Sequence, residues 1–193
     1  MKIHNVEQNS QAWLDARKGL LTASNATAIA ANGKGLDTYL IEILAEELST
    51  AERDNYTNDQ IERGKELEEH AIAMYELENN LTVERVGFIE CDGYGASPDG
   101  LIGENDLIEV KCPKDTVYTK LLIDKKPDSG YVWQIQMQLL VTNRQRGVLV
   151  YYNPNFKKSF CTFEIERDEV AIEKLKVGIE TGKERLAELK AKL

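Results

Sequence analysis

Three features of this 193-residue chain predict a mixed α/β fold carried by one domain, residues 1–193. Apolar residues recur at helical spacing in some segments, while others are short apolar runs of strand length. No linker, internal repeat or low-complexity tract separates them. In chain order, Asn9 or Ser10 can cap a short helix ending at Gly19, and Thr22 can open another. Asp37 begins a pattern in which Leu40, Ile43, Leu44 and Leu48 share a helix face, and Thr57 with Gln60 forms a capping-box pattern for a long helix through about Glu78. Strands are expected around Leu81 to Cys91, Tyr94 to Gly103 and Leu107 to Cys112. Helices follow around Thr116 to Asp124 and Tyr131 to Thr142, then strands around Gly147 to Tyr152 and Ser159 to Glu166. A charged helix from Asp168 closes the chain.

Composition narrows the classes of function. A hydrophobic content of 42% is ordinary for a globular protein. No apolar run approaches a membrane span, and Met1-Lys2-Ile3-His4 lacks a signal-peptide core, so the expected location is the cytoplasm with no membrane partner. Cys91, Cys112 and Cys161 have no close pair, which indicates buried small hydrophobes rather than a disulfide framework or a zinc knuckle. His4 and His70 have no ligand-like spacing. The net charge of −9 opposes binding to a polyanion. The acids, however, crowd Glu42 to Glu78 and Glu164 to Glu188, where helical spacing makes them solvated faces. Arg17, Lys18, Lys111, Lys114, Lys120, Lys125 and Lys126 are expected nearer the candidate site, and the local field is what a polyanion meets.

That site is read from Ser97-Pro98-Asp99-Gly100 followed by Ile108-Glu109-Val110-Lys111-Cys112-Pro113. Residues two apart on a strand share a face, so Glu109 and Lys111 project together while Val110 enters the core. Two acids and an ammonium suit metal-assisted phosphodiester cleavage: carboxylates hold a hard cation such as Mg²⁺, and lysine steadies a water or phosphate charge. A hairpin with a three-residue loop of Glu104, Asn105 and Asp106 would pair Asp99 with Lys111 and set Leu101 against Glu109, keeping the acids on one face. A two-residue turn would put Asp99 opposite Val110, on the wrong face. The bland alternative is a solvated hairpin with a surface ion pair.

The same residues resemble the active-site block of the lambda exonuclease-like, YqaJ-like viral recombinase branch of the restriction-endonuclease-like nucleases. Trp13-Leu14-Asp15-Ala16-Arg17-Lys18-Gly19 with Thr22-Ala23-Ser24 resembles the family's N-terminal block. Gly64-Lys65-Glu66-Leu67-Glu68 resembles its acid-bearing helix, and Tyr131-Val132-Trp133-Gln134-Ile135-Gln136 its glutamine helix. The resemblance implies a restriction-endonuclease-like core, a central mixed β-sheet flanked by helices. It implies metal binding by Asp99, Glu109 and the Val110 carbonyl with Glu68 assisting, and an attacking water positioned by Lys111 and oriented by Gln134. Without it, Glu68 reads as a surface acid and Gln134 with Gln138 as a polar stripe.

By the same resemblance Arg17, Ser24 and Ser97 hold a 5′-terminal phosphate, a task for which a guanidinium is suited because it meets phosphate oxygens bidentately. Family members carry a further arginine beyond Lys-Cys-Pro, where this chain has Lys114-Asp115-Thr116-Val117; Lys114 or Lys120 is the candidate substitute. The implied activity is a Mg²⁺-dependent 5′→3′ exonuclease, with Mn²⁺ able to substitute. It would act on double-stranded DNA ends and expose a 3′ single strand for a single-strand annealing protein in phage-type recombination. A homotrimer around the DNA is implied as well. The alternatives are a sequence-specific endonuclease on the same core and a noncatalytic DNA-end-binding protein.

Overall fold

The computed structural model describes residues 1–50 and 59–193, with side chains described from residue 63 in the second stretch. The expected capping box begins at Thr57 and lies outside the described residues. Among the described residues the strands divide between two mixed sheets. The smaller has the order β1 (Lys2–His4), β4 (Phe88–Glu90), β5 (Tyr94–Ala96), β2 (Leu21–Thr22), with β2 and β5 parallel. The larger runs β3 (Val83–Glu84), β6 (Gly100–Ile102), β7 (Asp106–Lys111), β8 (Arg146–Tyr152), β9 (Phe160–Glu166). Its neighbours are antiparallel except β7 and β8, whose parallel pairing needs a crossover through α5 (Asp115–Asp124) and α6 (Ser129–Thr142).

Strand parity decides what each face of the larger sheet meets. Ile108, Val110, Val148, Val150 and Tyr152 pack with Ala71 and Ile72 of α4 (Asp59–Asn79). Leu107, Leu149 and Tyr151 belong to the cluster that includes Ile135, Met137 and Leu139 of α6. Glu109 and Lys111 share that odd parity, so β7 aims both toward α6. Helix α6 buries Ile135, Gln136, Met137, Gln138, Leu139 and Val141, more than one stripe, because elements enclose it on several sides. Gly147 lets it come this close, since a Cβ there would fall within the Ile135 side chain.

The helices begin and end for local reasons. Ser10, not Asn9, caps α1 (Gln11–Arg17), its hydroxyl accepting from Trp13 N–H at 3.2 Å, and Gly19 at φ +78° turns the chain out. Thr22 precedes a 3₁₀ turn at Ala23–Asn25 and α2 (Ala26–Ala31), but its hydroxyl is occupied by Tyr39 and Ser24 instead of capping. Helix α3 (Lys34–Leu48) starts three residues ahead of Asp37, which sits in its first turn and suits the positive end of the helix. Asp168 caps α7 (Glu169–Lys190) by accepting from Val170 N–H. No helix among the described residues is long and apolar enough to cross a membrane.

Two expected strands are each divided. The segment from Leu81 to Cys91 gives β3 and β4 in different sheets, and Tyr94 to Gly103 gives β5 and β6, also in different sheets. Ser97-Pro98-Asp99 is the crossing between them, and Pro98 has no N–H to continue a ladder. The hairpin register also differs from the expected one. Gly100 pairs with Ile108, Leu101 with Leu107 and Ile102 with Asp106, so the three-residue loop is Gly103, Glu104 and Asn105. Gly103 takes φ +51°, a turn conformation, and Arg144 Nη1 donates to the carbonyls of Ile102, Gly103 and Asp106, fixing the closing pair. The shift is two residues, so the parity that keeps Asp99 and Glu109 together is preserved.

Candidate active site

The crossing residues are held from every side. Trp13 Nε1 donates to Ser97 Oγ at 2.8 Å, Gln8 Nε2 to the Pro98 carbonyl at 3.0 Å and Arg85 Nη1 to the Asp99 carbonyl at 3.1 Å. Asp99 N–H donates to the Ile108 carbonyl at 3.1 Å, so Asp99 lies beside β7 at the level of Glu109. Its Oδ2 accepts from Val110 N–H at 2.6 Å. A short break between two sheets thereby becomes a fixed mount for one carboxylate.

Glu109 is 2% exposed, and both of its oxygens are hydrogen-bonded. Its Oε1 accepts from Lys111 Nζ at 2.6 Å and from Gln134 Nε2 at 2.6 Å, and its Oε2 accepts from Gln138 Nε2 at 2.7 Å. Gln134 and Gln138 are one helical turn apart on α6, which lets each reach a different oxygen of the same carboxylate. Lys111 also lies over the Tyr131 ring, 4.6 Å from its centroid. Glu68 comes from α4, on the face that carries Ala71 and Ile72 three and four residues later. Arg85 binds the neighbouring Glu69 at 2.6 Å and stands 3.9 Å from Glu68.

Electrostatics tie these groups into one unit. Burial, then the charges of Glu109 and Glu68, push Asp99 well above the usual carboxylate range, with Lys111 and the Val110 N–H opposing. Glu68 is raised by burial and by Glu109. Burial alone would lower the Lys111 ammonium, but Glu109 and Asp99 outweigh it and hold the group above its ordinary value. Lys111 is therefore charged at neutral pH, and the carboxylates together want more positive charge than one lysine gives. Burial, reinforced by Glu68 and Asp99, raises the Cys112 thiol to about 12, which removes it as a nucleophile.

The donor set suits a hard cation, since it offers only oxygen and its negative charge is under-compensated. Among the described residues no three His, Cys, Asp or Glu side chains converge closely enough to cage an ion alone.

A cavity of about 150 Å³ connects this cluster to the N-terminal block, lined among others by Asp99, Glu109, Gln134 and Gln138 at one side and Trp13, Arg17, Ser24 and Ser97 at the other. The Arg17 guanidinium stacks on Trp13 at 3.8 Å, and its Nη2 is 3.4 Å from both Thr22 Oγ1 and Ser24 Oγ. Tyr39 fixes Thr22 in turn, its hydroxyl accepting from the Thr22 N–H at 2.9 Å. A wider cleft of about 500 Å³ opens past Asp99 and Glu68, lined also by Lys65, Arg85, Gln8 and Asn9. The structure thus brings Asp99, Glu109, Gln134, Arg17, Ser24 and Ser97 to one cavity, bonds Lys111 to Glu109, and places Glu68 in the adjoining cleft with Asp99.

Other expected residues lie elsewhere or are otherwise engaged. Lys114 lines a separate cleft with Arg63, and Lys120 is paired with Asp124 on its own helix at 3.0 Å. Lys125 ends α5 at φ +50°. His4 is bound to Glu90 at 2.6 Å and His70 to the Tyr152 hydroxyl at 2.8 Å. Gln138 and Arg85 are site neighbours to which sequence reasoning gave no role. The i, i+4 spacing from Gln134 was a usable signal for the first; Arg85 lies between β3 and β4, and its sequence context carried none.

Residues 12–145 match the family profile described as the YqaJ-like viral recombinase domain. Among solved structures, an alkaline exonuclease from Laribacter hongkongensis is 31% identical, with a TM-score of 0.83 and coverage of 95% of this chain and 97% of that one. The same exonuclease in complex with dAMP gives a TM-score of 0.85 at 31% identity over 94% and 95% of the two chains. A phage-related exonuclease from Haemophilus somnus 129PT shares the fold at 15% identity, with a TM-score of 0.72 over 90% and 96%. Among curated proteins no sequence matches the chain.

Proposed function

The chain belongs to the family of YqaJ-like viral recombinase domains, and from that premise we propose that it is a divalent-metal-dependent nuclease that degrades double-stranded DNA from its ends, 5′→3′, leaving a 3′ single strand. One observation carries this reading above the others. Asp99 and Glu109, the latter bonded to Lys111, line the same small cavity as Arg17 and Ser24, so a terminal phosphate at one side would place a nearby phosphodiester at the other.

In this reading Asp99, Glu109 and the Val110 carbonyl hold Mg²⁺, with Glu68 assisting and Mn²⁺ able to substitute. The bound ion supplies Lewis-acid polarisation of a phosphoryl oxygen and a lowered water pKa. Lys111, kept charged by Glu109 and Asp99, steadies the attacking water and the phosphate charge. Gln134 helps orient that water. Arg17, braced on Trp13, forms the charged part of the end pocket with Ser24 and Ser97. The product is a 3′ strand for a single-strand annealing protein in phage-type recombination in the cytoplasm, and a homotrimer around the duplex would support processive digestion.

Incubation of linear and closed circular duplex with Mg²⁺ tests the proposal. Mononucleotide release from the linear substrate alone is expected. Cutting of the circle would instead mark an endonuclease, and binding without cleavage a noncatalytic end-binding protein.

A further inference from the structure

We propose that Gln138 is a positioning residue for Glu109 and that it, rather than Gln134, governs the oxygen through which Glu109 takes a divalent cation. The inference rests on the metal-dependent reading above and deepens it.

A carboxylate offers about four acceptor sites, two on each oxygen. Glu109 Oε1 has both occupied, by Lys111 Nζ and Gln134 Nε2, each at 2.6 Å. Oε2 has one occupied, by Gln138 Nε2 at 2.7 Å. The remaining site is therefore on Oε2, beside Gln138. A cation approaching Glu109 without displacing the lysine meets the oxygen whose direction Gln138 sets.

The state of Gln138 supports this assignment. The residue is 0% exposed, yet it lines the cavity shared with Asp99 and Glu109. Its amide must face Glu109 with nitrogen, because an ionised carboxylate only accepts and a reversed amide would set two acceptors together. That leaves Oε1 buried, and among the described residues no donor reaches it. Native interiors seldom keep an acceptor in that condition without a reason. The reason offered here is that Oε1 accepts from a water carried by the cation, since Mg²⁺ keeps several waters when it binds to proteins. Gln138 would then hold both the carboxylate and the hydration shell, whereas Gln134 touches only the oxygen that it shares with the lysine.

The test is calorimetric titration of Mn²⁺ into the intact, DNA-free protein, beside the Mn²⁺ concentration giving half-maximal cleavage. The variants are Gln138→Leu, Gln138→Asn and Gln134→Leu. Outer partners of metal ligands typically contribute about 10- to 100-fold in affinity. Both Gln138 variants are expected to bind Mn²⁺ at least about tenfold more weakly and to move the half-maximal concentration by the same factor, while Gln134→Leu stays within about twofold. If Gln138→Leu does not fold, Gln138→Asn, which keeps an amide but shortens its reach, decides the matter. A folded Gln138→Asn protein with wild-type Mn²⁺ affinity would overturn the inference, as would an equal loss in Gln134→Leu. Wild-type protein that binds no Mn²⁺ would overturn the metal reading itself, which separates the two failures.

Discussion

Replacing Asp99 with Asn should stabilise the metal-free protein while removing its activity. Three unfavourable influences act on the Asp99 carboxylate, namely burial, Glu109 and Glu68; Lys111 and the Val110 N–H oppose them without winning. Asn keeps an oxygen to accept the 2.6 Å bond from Val110 N–H and discards the charge. Exchanges of this kind, which relieve a strained functional group, commonly yield about 0.5–2 kcal/mol. For a chain of this size that is a rise of roughly 1–8 °C in melting temperature. The sign with pH follows from the raised folded-state pKa. The stability that the Asp99 carboxyl contributes is fully present below its unfolded value near 4 and is lost as pH rises through the raised folded value. The advantage of Asp99→Asn should therefore be near zero at about pH 4 and should grow as the pH is raised toward about 8. Thermal melts in chelator across that range measure it. Adding Mn²⁺ at about pH 8 should reverse the order, because a ligand at about 100 times its Kd contributes about 2.7 kcal/mol to the wild type. No gain for Asp99→Asn at alkaline pH, or the same gain at acid pH, would refute the reasoning.

Three further outcomes are expected. Lys111→Ala should abolish cleavage and, by leaving Glu109 buried without its cation, cost about 3–5 kcal/mol on chemical denaturation, partly offset by the two glutamine bonds; wild-type turnover would exclude the lysine from the chemistry. Arg17→Ala should erase most of a tenfold to hundredfold preference for 5′-phosphorylated over 5′-hydroxyl duplex in single-turnover digestion, the scale of a charged contact worth roughly 1.5–3 kcal/mol. Equal rates on both substrates with wild-type protein would make Arg17 structural. Gly147→Ala should lower stability by about 1–3 kcal/mol and slow cleavage, because the added methyl pushes Ile135, and with it the α6 turn bearing Gln134 and Gln138, off β8.

The fold class was legible because helical and strand periodicities are local, and most long elements lie where those patterns ended. The division into two sheets was not, since β1, β2, β3 and β4 are two or three residues each, and β1 and β2 pair with strands far along the chain. Pro98 signalled a break in pairing but not that the chain would change sheets there. At the hairpin the loop length was readable and the register was not; Arg144, more than forty residues on, caps the carbonyls that close it. In the site, alternation along β7 put Glu109 beside Lys111, and that pair stands at 2.6 Å. Gln138 was passed over because its significance comes from burial, and α6 is enclosed by elements from both ends of the chain. Arg85 meets Glu69, sixteen residues earlier, and the Asp99 carbonyl, contacts that no spacing rule anticipates.

The central claim, directional metal-dependent digestion from a 5′ end, is tested most directly with linear duplex labelled at one 5′ terminus or one 3′ terminus. With Mg²⁺ present, the 5′ label should appear first as mononucleotide, the 3′ label should remain in long single strands, and chelator should stop both. Early release of the 3′ label, or release of the 5′ label undiminished in chelator, would contradict the account.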